Sequence, residues 1–325
     1  MKQSLDHLYH EIRSRLAARY SAGEASAVAF ALLDDVYGAS RTDVLRGKDK
    51  DFSAQERNEL DEMLQKLSQG LPLQYATGRA LFADRYFRVS PDVLIPRPET
   101  EAIPQLVAAA ATRVAAGSDA AADGATTAGA GARPVRCLDC GTGSGCIAVT
   151  IALGHPDWSV EAWDISAAAL AVAADNAERL GATGVTFAER DILAEAVRLS
   201  SVEGAGTSVV GGCTGAELYD FIVSNPPYIC DREAAEMEAH VLDHEPHTAL
   251  FVPDDDPLVF YRALAAIGRA LLTPGGCMVV ECNRAFTRET AALMGDYGFV
   301  DVEVIADCFD APRFVRGFRP AAVAL

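Results

Sequence analysis

From Val135 onward the chain alternates short apolar segments with stretches of helical periodicity, and few folds accept that pattern. "VRCLD", "VEAWD", "VTFAERD", "DFIVSN", "GCMVVEC" and "VDVEVIA" read as strands, and helical patterns such as Ala167–Leu180, closed by Gly181, lie between them. Such alternation implies a parallel sheet with helices on both faces, a doubly wound α/β domain. Ligands on these sheets sit beyond the carboxyl ends of the strands, where strand order reverses. Three of the strands end on a polar residue, Asp139, Asp164 and Asn225, so all three are expected to converge on one crevice.

The first strand end, "LDCGTGSGCIAV", has the form D-x-G-x-G-x-G. Glycines lack a Cβ, so their backbone can come close to a ligand. A dinucleotide fingerprint would place Cys146 at its last glycine. The loop Gly141, Thr142, Gly143, Ser144 and Gly145 fits better around the amino-acid end and ribose of S-adenosylmethionine, which has no pyrophosphate. The plainer reading is a tight turn before a helix. Asp164 stands near the offset of ~20 residues at which nucleotide folds place a ribose-binding acid. Ser166 is the better candidate to cap the helix that follows. In "ERDIL", Asp191 is expected to take the adenine amine and Ile192 to lie on the ring face.

The strand "FIVSNPPYIC" breaks at once into Asn225, Pro226, Pro227 and Tyr228. An amide or aromatic amine is a poor nucleophile because its lone pair is delocalised. Catalysis of its methylation therefore means holding two N–H bonds so that the lone pair faces the methyl carbon. The Asn225 side-chain oxygen can accept one N–H and the Pro226 carbonyl the other. Tandem prolines fix φ and stiffen the pair, and Tyr228 offers a flat wall to a planar group. Termination of a strand accounts for the prolines but not for an amide opposite a cofactor loop. Asn225 is also expected to line the cofactor side of the crevice.

Upstream, Leu5, Leu8, Ile12 and Leu16 recur at helical spacing, as do Val28, Leu32, Leu33 and Val36. Ser21 with Glu24, and Ser53 with Glu56, have the spacing of capping boxes. Residues 1–71 thus read as a small helical domain, 72–98 as a hairpin or connector, and 99–325 as the sheet domain. Low-complexity stretches at 115–133 and 200–216 read as flexible inserts.

Lys and Arg number 28 against 46 Asp and Glu, a formal net charge of -18. That argues against broad nucleic-acid binding, which requires basic surface. No apolar run approaches the ~20 residues of a spanning helix, and the acidic N-terminal stretch is unlike a secretory signal, so a cytoplasmic protein is expected. The cysteines, irregularly spaced, read as reduced buried thiols. Cys137 and Cys140 have C-x-x-C spacing, with packing the favoured role over metal or redox use. His240, His244 and His247 lie close together, but Pro246 breaks any helix, and no metal is expected.

Taken together, "NPPY" downstream of D-x-G-x-G-x-G resembles the class I S-adenosylmethionine-dependent amino methyltransferases. "FRVSPDVLIPRPETE" joining a helical module to that domain, with "EPHTAL" after the corner, narrows the resemblance to the bacterial release-factor glutamine methyltransferases. The likeness covers nearly the whole chain. It implies a seven-stranded, mostly parallel sheet, S-adenosylmethionine as cofactor, and a release factor held by the helical module and the catalytic domain. The substrate group would be the glutamine of the Gly-Gly-Gln tripeptide, held by Asn225 to Tyr228. Separately from the resemblance, a monomer is expected. Asn283 departs from the Glu-x-Gly more usual in this family, so the local loop is expected to differ. Two rivals use the same corner, a ribosomal-protein glutamine methyltransferase and a DNA adenine methyltransferase. "LIPRPETE" disfavours the first and the net charge the second. A non-catalytic scaffold would be expected to have lost the glycine loop or the Asn.

Overall fold

The computed structural model describes residues 2–121, 133–203, 218–237 and 239–321. It divides into two compact units. One comprises Met1–Ala80, Val89–Pro91 and Met237–Glu245, the other Leu81–Arg88, Asp92–Glu236 and Pro246–Leu325.

The first unit is helical, as its periodicity predicts. Its main helices are Leu5–Leu16, Ala22–Tyr37 and Ala54–Ser68. Both expected capping boxes are formed, Ser21 with Glu24 and Ser53 with Glu56, each satisfying two otherwise orphaned amides. Leu8, Ile12, Leu32, Leu33, Leu60 and Leu67 are fully buried against one another. A Glu11–Arg57 ion pair at 2.9 Å links the first and third of these helices.

The second unit is built on a seven-stranded sheet: β1 (Arg136–Cys140), β2 (Ser159–Asp164), β3 (Val185–Glu189), β4 (Tyr219–Ser224), β5 (Leu272–Glu281), β6 (Val300–Ala306) and β7 (Pro312–Phe318). Their order is β6-β7-β5-β4-β1-β2-β3. The pairs from β3 across to β5 are parallel, and β7 runs antiparallel between β5 and β6. Six strands follow the sequence pattern. The seventh, "PRFVRGF", does not stand out, because arginines at 313 and 316 and a leading proline dilute its apolar signal.

Alternation along the strands sorts side chains into two cores. Cys137, Phe221, Val223 and Val279 face the helices Ala102–Ala121, Cys146–Gly154 and Ala167–Leu180. Leu138, Cys140, Ile222, Met278 and Val280 face Ile192–Glu203, Val259–Leu271 and Thr287–Asp296. Cys137 and Cys140, three residues apart on one strand, therefore lie in opposite cores and cannot share a ligand. Burial drives both thiols well above their ordinary range.

The inserts need new boundaries. The stretch expected to begin at 115 continues a helix to Ala121, and Ile192–Glu203 runs past residue 200. The remainder of both inserts lies outside the described residues. The connector contains a short helix, Leu73–Thr77, that the sequence reading did not anticipate, before the hairpin Arg79–Phe82 and Arg85–Arg88.

Candidate active site

The chain lays down β1, β2 and β3 in one direction and then returns to place β4 on the other side of β1. Strand order reverses there, at the position where open α/β sheets bind ligands. The glycine loop leaves β1 and the proline corner leaves β4. In register, Cys140 pairs with Ser224 on one side and Trp163 on the other, so Asp139, Asp164 and Asn225 sit at one edge of three adjacent strands. Ser224 Oγ also donates to the Cys140 carbonyl at 2.6 Å.

The glycine loop is held from within. The Gly141 and Thr142 amides donate to the Trp163 carbonyl at 2.8 and 2.9 Å. The three glycines do different work, although all have positive φ. A Cβ on Gly145 would lie 3.0 Å from the Ala173 Cβ, so this glycine lets two helices pack. At Gly143 a Cβ would meet nothing within 4 Å, and at Gly141 only Ile192 Cδ1 at 3.7 Å. These two face open space and leave room for a ligand beside the backbone. The side chains of Thr142 and Ser144 are buried within the loop.

Asp164 Oδ2 accepts the Gly143 amide and Oδ1 the Ser166 amide, each at 2.9 Å. The carboxylate thus locks the glycine loop, with lone pairs left for a diol. Ser166 caps the next helix through the Ala169 amide, as its position predicted. Asp191 Oδ1 accepts the Leu193 amide at 2.8 Å and so caps the following helix, with Ile192 buried beside it.

Asp139 is fully buried beneath this loop. Its Oδ2 accepts the Thr142 hydroxyl at 2.7 Å, whereas Oδ1 has no hydrogen-bond partner among the described residues. Burial, with a smaller push from the Asp164 charge, raises its pKa to about 7, against the opposing hydrogen bonds of the Thr142 hydroxyl and the Ala148 amide. A buried carboxylate with one oxygen outside hydrogen-bond geometry, beside open glycines, suits a ligand that brings a cationic donor, as the α-ammonium of S-adenosylmethionine does. The ionised carboxylate is the form that attracts it. Cofactor affinity is accordingly expected to rise up to about tenfold per pH unit as pH climbs toward about 7, below the ~7.7–8.0 where α-amino groups lose their proton. Calorimetric titrations across that range test this, and Asp139→Asn should flatten the dependence. A flat profile in the parent chain would place the ammonium elsewhere.

The proline corner is braced from three sides. The amides of Tyr228 and Ile229 donate to the Leu250 carbonyl at 3.2 and 2.9 Å, giving "EPHTAL" a backbone role. Ile229–Cys230 pairs with Phe251–Val252 as a short parallel ladder. Asn283 Nδ2 donates to the Tyr228 carbonyl at 3.2 Å and to Glu233 Oε2 at 3.0 Å, and Glu233 Oε2 accepts the Cys230 amide at 2.8 Å. The departure at Asn283 therefore clamps the corner in place. Pro226 is buried, and Asn225, Pro227 and Tyr228 are part-buried.

Two residues at this site escaped sequence reading. Glu281, the buried last residue of β5, accepts the Thr100 hydroxyl on Oε2 at 2.7 Å and the Tyr228 hydroxyl on Oε1 at 3.1 Å. Asn225 Nδ2 donates to Thr100 Oγ1 at 3.2 Å. Burial raises the Glu281 pKa, opposed by these two hydrogen bonds and by the charge of Arg313. A carboxylate ending an otherwise apolar strand was the available signal, the same one that marked Asp139 and Asp164. Of the histidines, His244 ends a short helix and His247 lies edge-on to Phe251, while the side chain of His240 is outside the described residues. Among the described residues no group of three or more His, Cys, Asp or Glu could hold a metal ion.

Residues 133–297 match a family model described as a methyltransferase domain, and residues 7–78 match one described as the PrmC N-terminal domain. The release factor glutamine methyltransferase of Bacteroides thetaiotaomicron is 41% identical over 309 residues, covering 95% of this chain and 98% of that one. Its counterparts from Flavobacterium psychrophilum and Chlorobaculum tepidum are 30% and 35% identical, over 93% and 85% of this chain and 94% and 84% of theirs. The sheet order, the loop after β1 and the domain match define an S-adenosylmethionine-dependent class I methyltransferase. Within that class, the chain belongs to the release factor glutamine methyltransferase family.

Proposed function

We propose that this enzyme methylates the side-chain amide nitrogen of the glutamine in the Gly-Gly-Gln motif of peptide-chain release factors. The observation that carries the reading is the juxtaposition of β1 and β4: the glycine loop and the Asn225 corner share one edge at the point where strand order reverses. Gly141 to Gly145, Asp139, Asp164, Asp191 and Ile192 would hold S-adenosylmethionine, with Asn225 at the boundary with the substrate. The bound cofactor supplies a methyl group on a positively charged sulfur.

The remaining chemistry is positional. Asn225 Oδ1 accepts one N–H of the substrate carboxamide and the Pro226 carbonyl the other, turning the nitrogen lone pair toward the methyl carbon. Pro227 stiffens the corner, and the Tyr228 ring bounds the carboxamide plane. No strong base is needed, because the nitrogen becomes acidic as the new bond forms. The N-terminal helical segment, residues 1–71, would recognise the rest of the release factor. Among the described residues no helix is long and apolar enough to cross a membrane. The strong acidity of the chain disfavours a direct nucleic-acid substrate. Action as a monomer in the cytoplasm, where translation terminates, completes the reading.

The test supplies labelled S-adenosylmethionine with purified release factor, ribosomal protein or unmethylated DNA in parallel. Label is expected on release factor and should vanish when its tripeptide glutamine is replaced. Label on ribosomal protein alone would favour the first rival, and label on DNA alone the second.

A further inference from the structure

A carboxamide has two nearly isosteric ends, and the proposed reaction uses only one of them. Asn225 must offer Oδ1 to the substrate, since a substrate N–H cannot bond to the donor Nδ2. Nothing in the shape of the side chain favours that orientation over its 180° flip. Some neighbour has to tell the two ends apart.

We propose that Thr100, itself polarised by Glu281, is the positioning residue that sets the orientation of the Asn225 carboxamide and so turns its oxygen toward the substrate. The inference rests on the substrate reading above and adds a residue to it. A threonine hydroxyl has a single proton. Thr100 commits that proton to the Glu281 carboxylate, in the shorter contact at 2.7 Å, as expected of a charge-assisted bond. What remains on Oγ1 is lone pairs, which can only accept. The end of Asn225 that faces it, at 3.2 Å, must therefore be Nδ2. A flipped amide would set Oδ1 against those lone pairs and leave Nδ2 pointing at the substrate's own N–H.

Burial makes the discrimination effective. Thr100 is 2% exposed and Glu281 1%, so bulk water does not compete for either group, and a mismatched polar pair there is costly. Glu281 also ties down the other side of the corner, since its second oxygen accepts the Tyr228 hydroxyl at 3.1 Å. One carboxylate at the end of β5 thus governs Asn225 through Thr100 and Tyr228 directly. Thr100 itself comes from the turn Glu99–Glu101 that precedes the helix Ala102–Ala121, remote in sequence from both partners.

The experiment compares the parent enzyme with Thr100→Val, Thr100→Ser and Glu281→Gln. Valine keeps the branched shape and removes the hydroxyl. With release factor as substrate, Thr100→Val is expected to lower kcat about 10–100-fold, with KM for release factor and Kd for S-adenosylmethionine within about threefold. Thr100→Ser should restore most of the loss, and Glu281→Gln, whose amide no longer compels Thr100 to donate, should resemble Thr100→Val. A purely structural threonine would instead lower thermal stability and cofactor affinity together. A second readout needs no substrate. The Asn225 side-chain amide protons, assigned by NMR through their loss in Asn225→Asp, should exchange slowly in the parent and faster in Thr100→Val and Glu281→Gln. The inference is overturned if Thr100→Val or Glu281→Gln turns over within about twofold of the parent. It is equally overturned if Thr100→Ser is as slow as Thr100→Val, or if the parent's amide protons exchange as fast as those of the variants. Should the parent label no release factor, the substrate reading fails, and the exchange measurement still decides the role of Thr100.

Discussion

Replacing Asn225 by Ala is expected to lower kcat by about 10²–10³-fold, the scale seen when one pre-organised polar contact to a reacting group is removed. The Kd for S-adenosylmethionine should stay within about threefold of the parent value. The expectation follows from where the residue sits. Asn225 leaves β4 at the strand edge shared with the glycine loop, and its Nδ2 is engaged by Thr100, so under the proposed function Oδ1 would be the end that meets the substrate. Without that acceptor a bound carboxamide can rotate, and its lone pair spends less time in line with the methyl carbon. Single-turnover methylation of release factor at saturating cofactor, together with calorimetric cofactor binding, separates the two quantities. A variant with near-parent turnover at saturation but poor cofactor binding would move Asn225 out of the substrate pocket.

Asp164→Ala is expected to have the opposite signature. Loss of a charged acceptor for hydroxyl groups, worth about 1.5–3 kcal/mol, should raise the cofactor Kd about 10–100-fold, with kcat at saturation reduced less than about fivefold. The structure adds a second source for the loss. The same carboxylate accepts the Gly143 and Ser166 amides, so its removal also frees the glycine loop. Asp164→Asn, which retains one acceptor oxygen, should therefore fall between the parent and the Ala variant. Equal cofactor affinity in all three chains would show that neither the diol nor the loop depends on this residue.

Much of the sheet unit was legible because burial on both faces forces near-continuous apolar strands, and because polar residues at their ends stand out against that background. Asp139, Asp164 and Asn225 were recognisable for this reason, and the two capping boxes because their spacing is local. Three things were not legible. β7 carries Arg313 and Arg316, and its place between the nearby β6 and the more distant β5, rather than its own apolar pattern, gives it strand character. Thr100 lies in a turn whose residues gain meaning only when β5 brings Glu281 to it. Asp164 looked like a ligand residue alone, yet its two backbone contacts give it a structural duty that spacing does not encode. In each case part of the missing information is a pairing across the sheet or between loops, with β5 for β7, with Glu281 for Thr100 and with Gly143 for Asp164, which no local pattern can supply.

The interior place of β7 bears on how the protein is made. On the ribosome, β5 emerges with one edge unpaired, and the strand that will cover it is not synthesised until β6 has also appeared. Until then a row of free backbone groups flanked by apolar side chains is presented to other nascent chains and to chaperones. The residue opposite Phe314 in that pairing is Glu281, so the carboxylate that braces the reactive corner is among the last groups to be enclosed. Catalytic competence is thereby tied to completion of the sheet, and a partly made chain would expose its stickiest edge before it could carry out any chemistry.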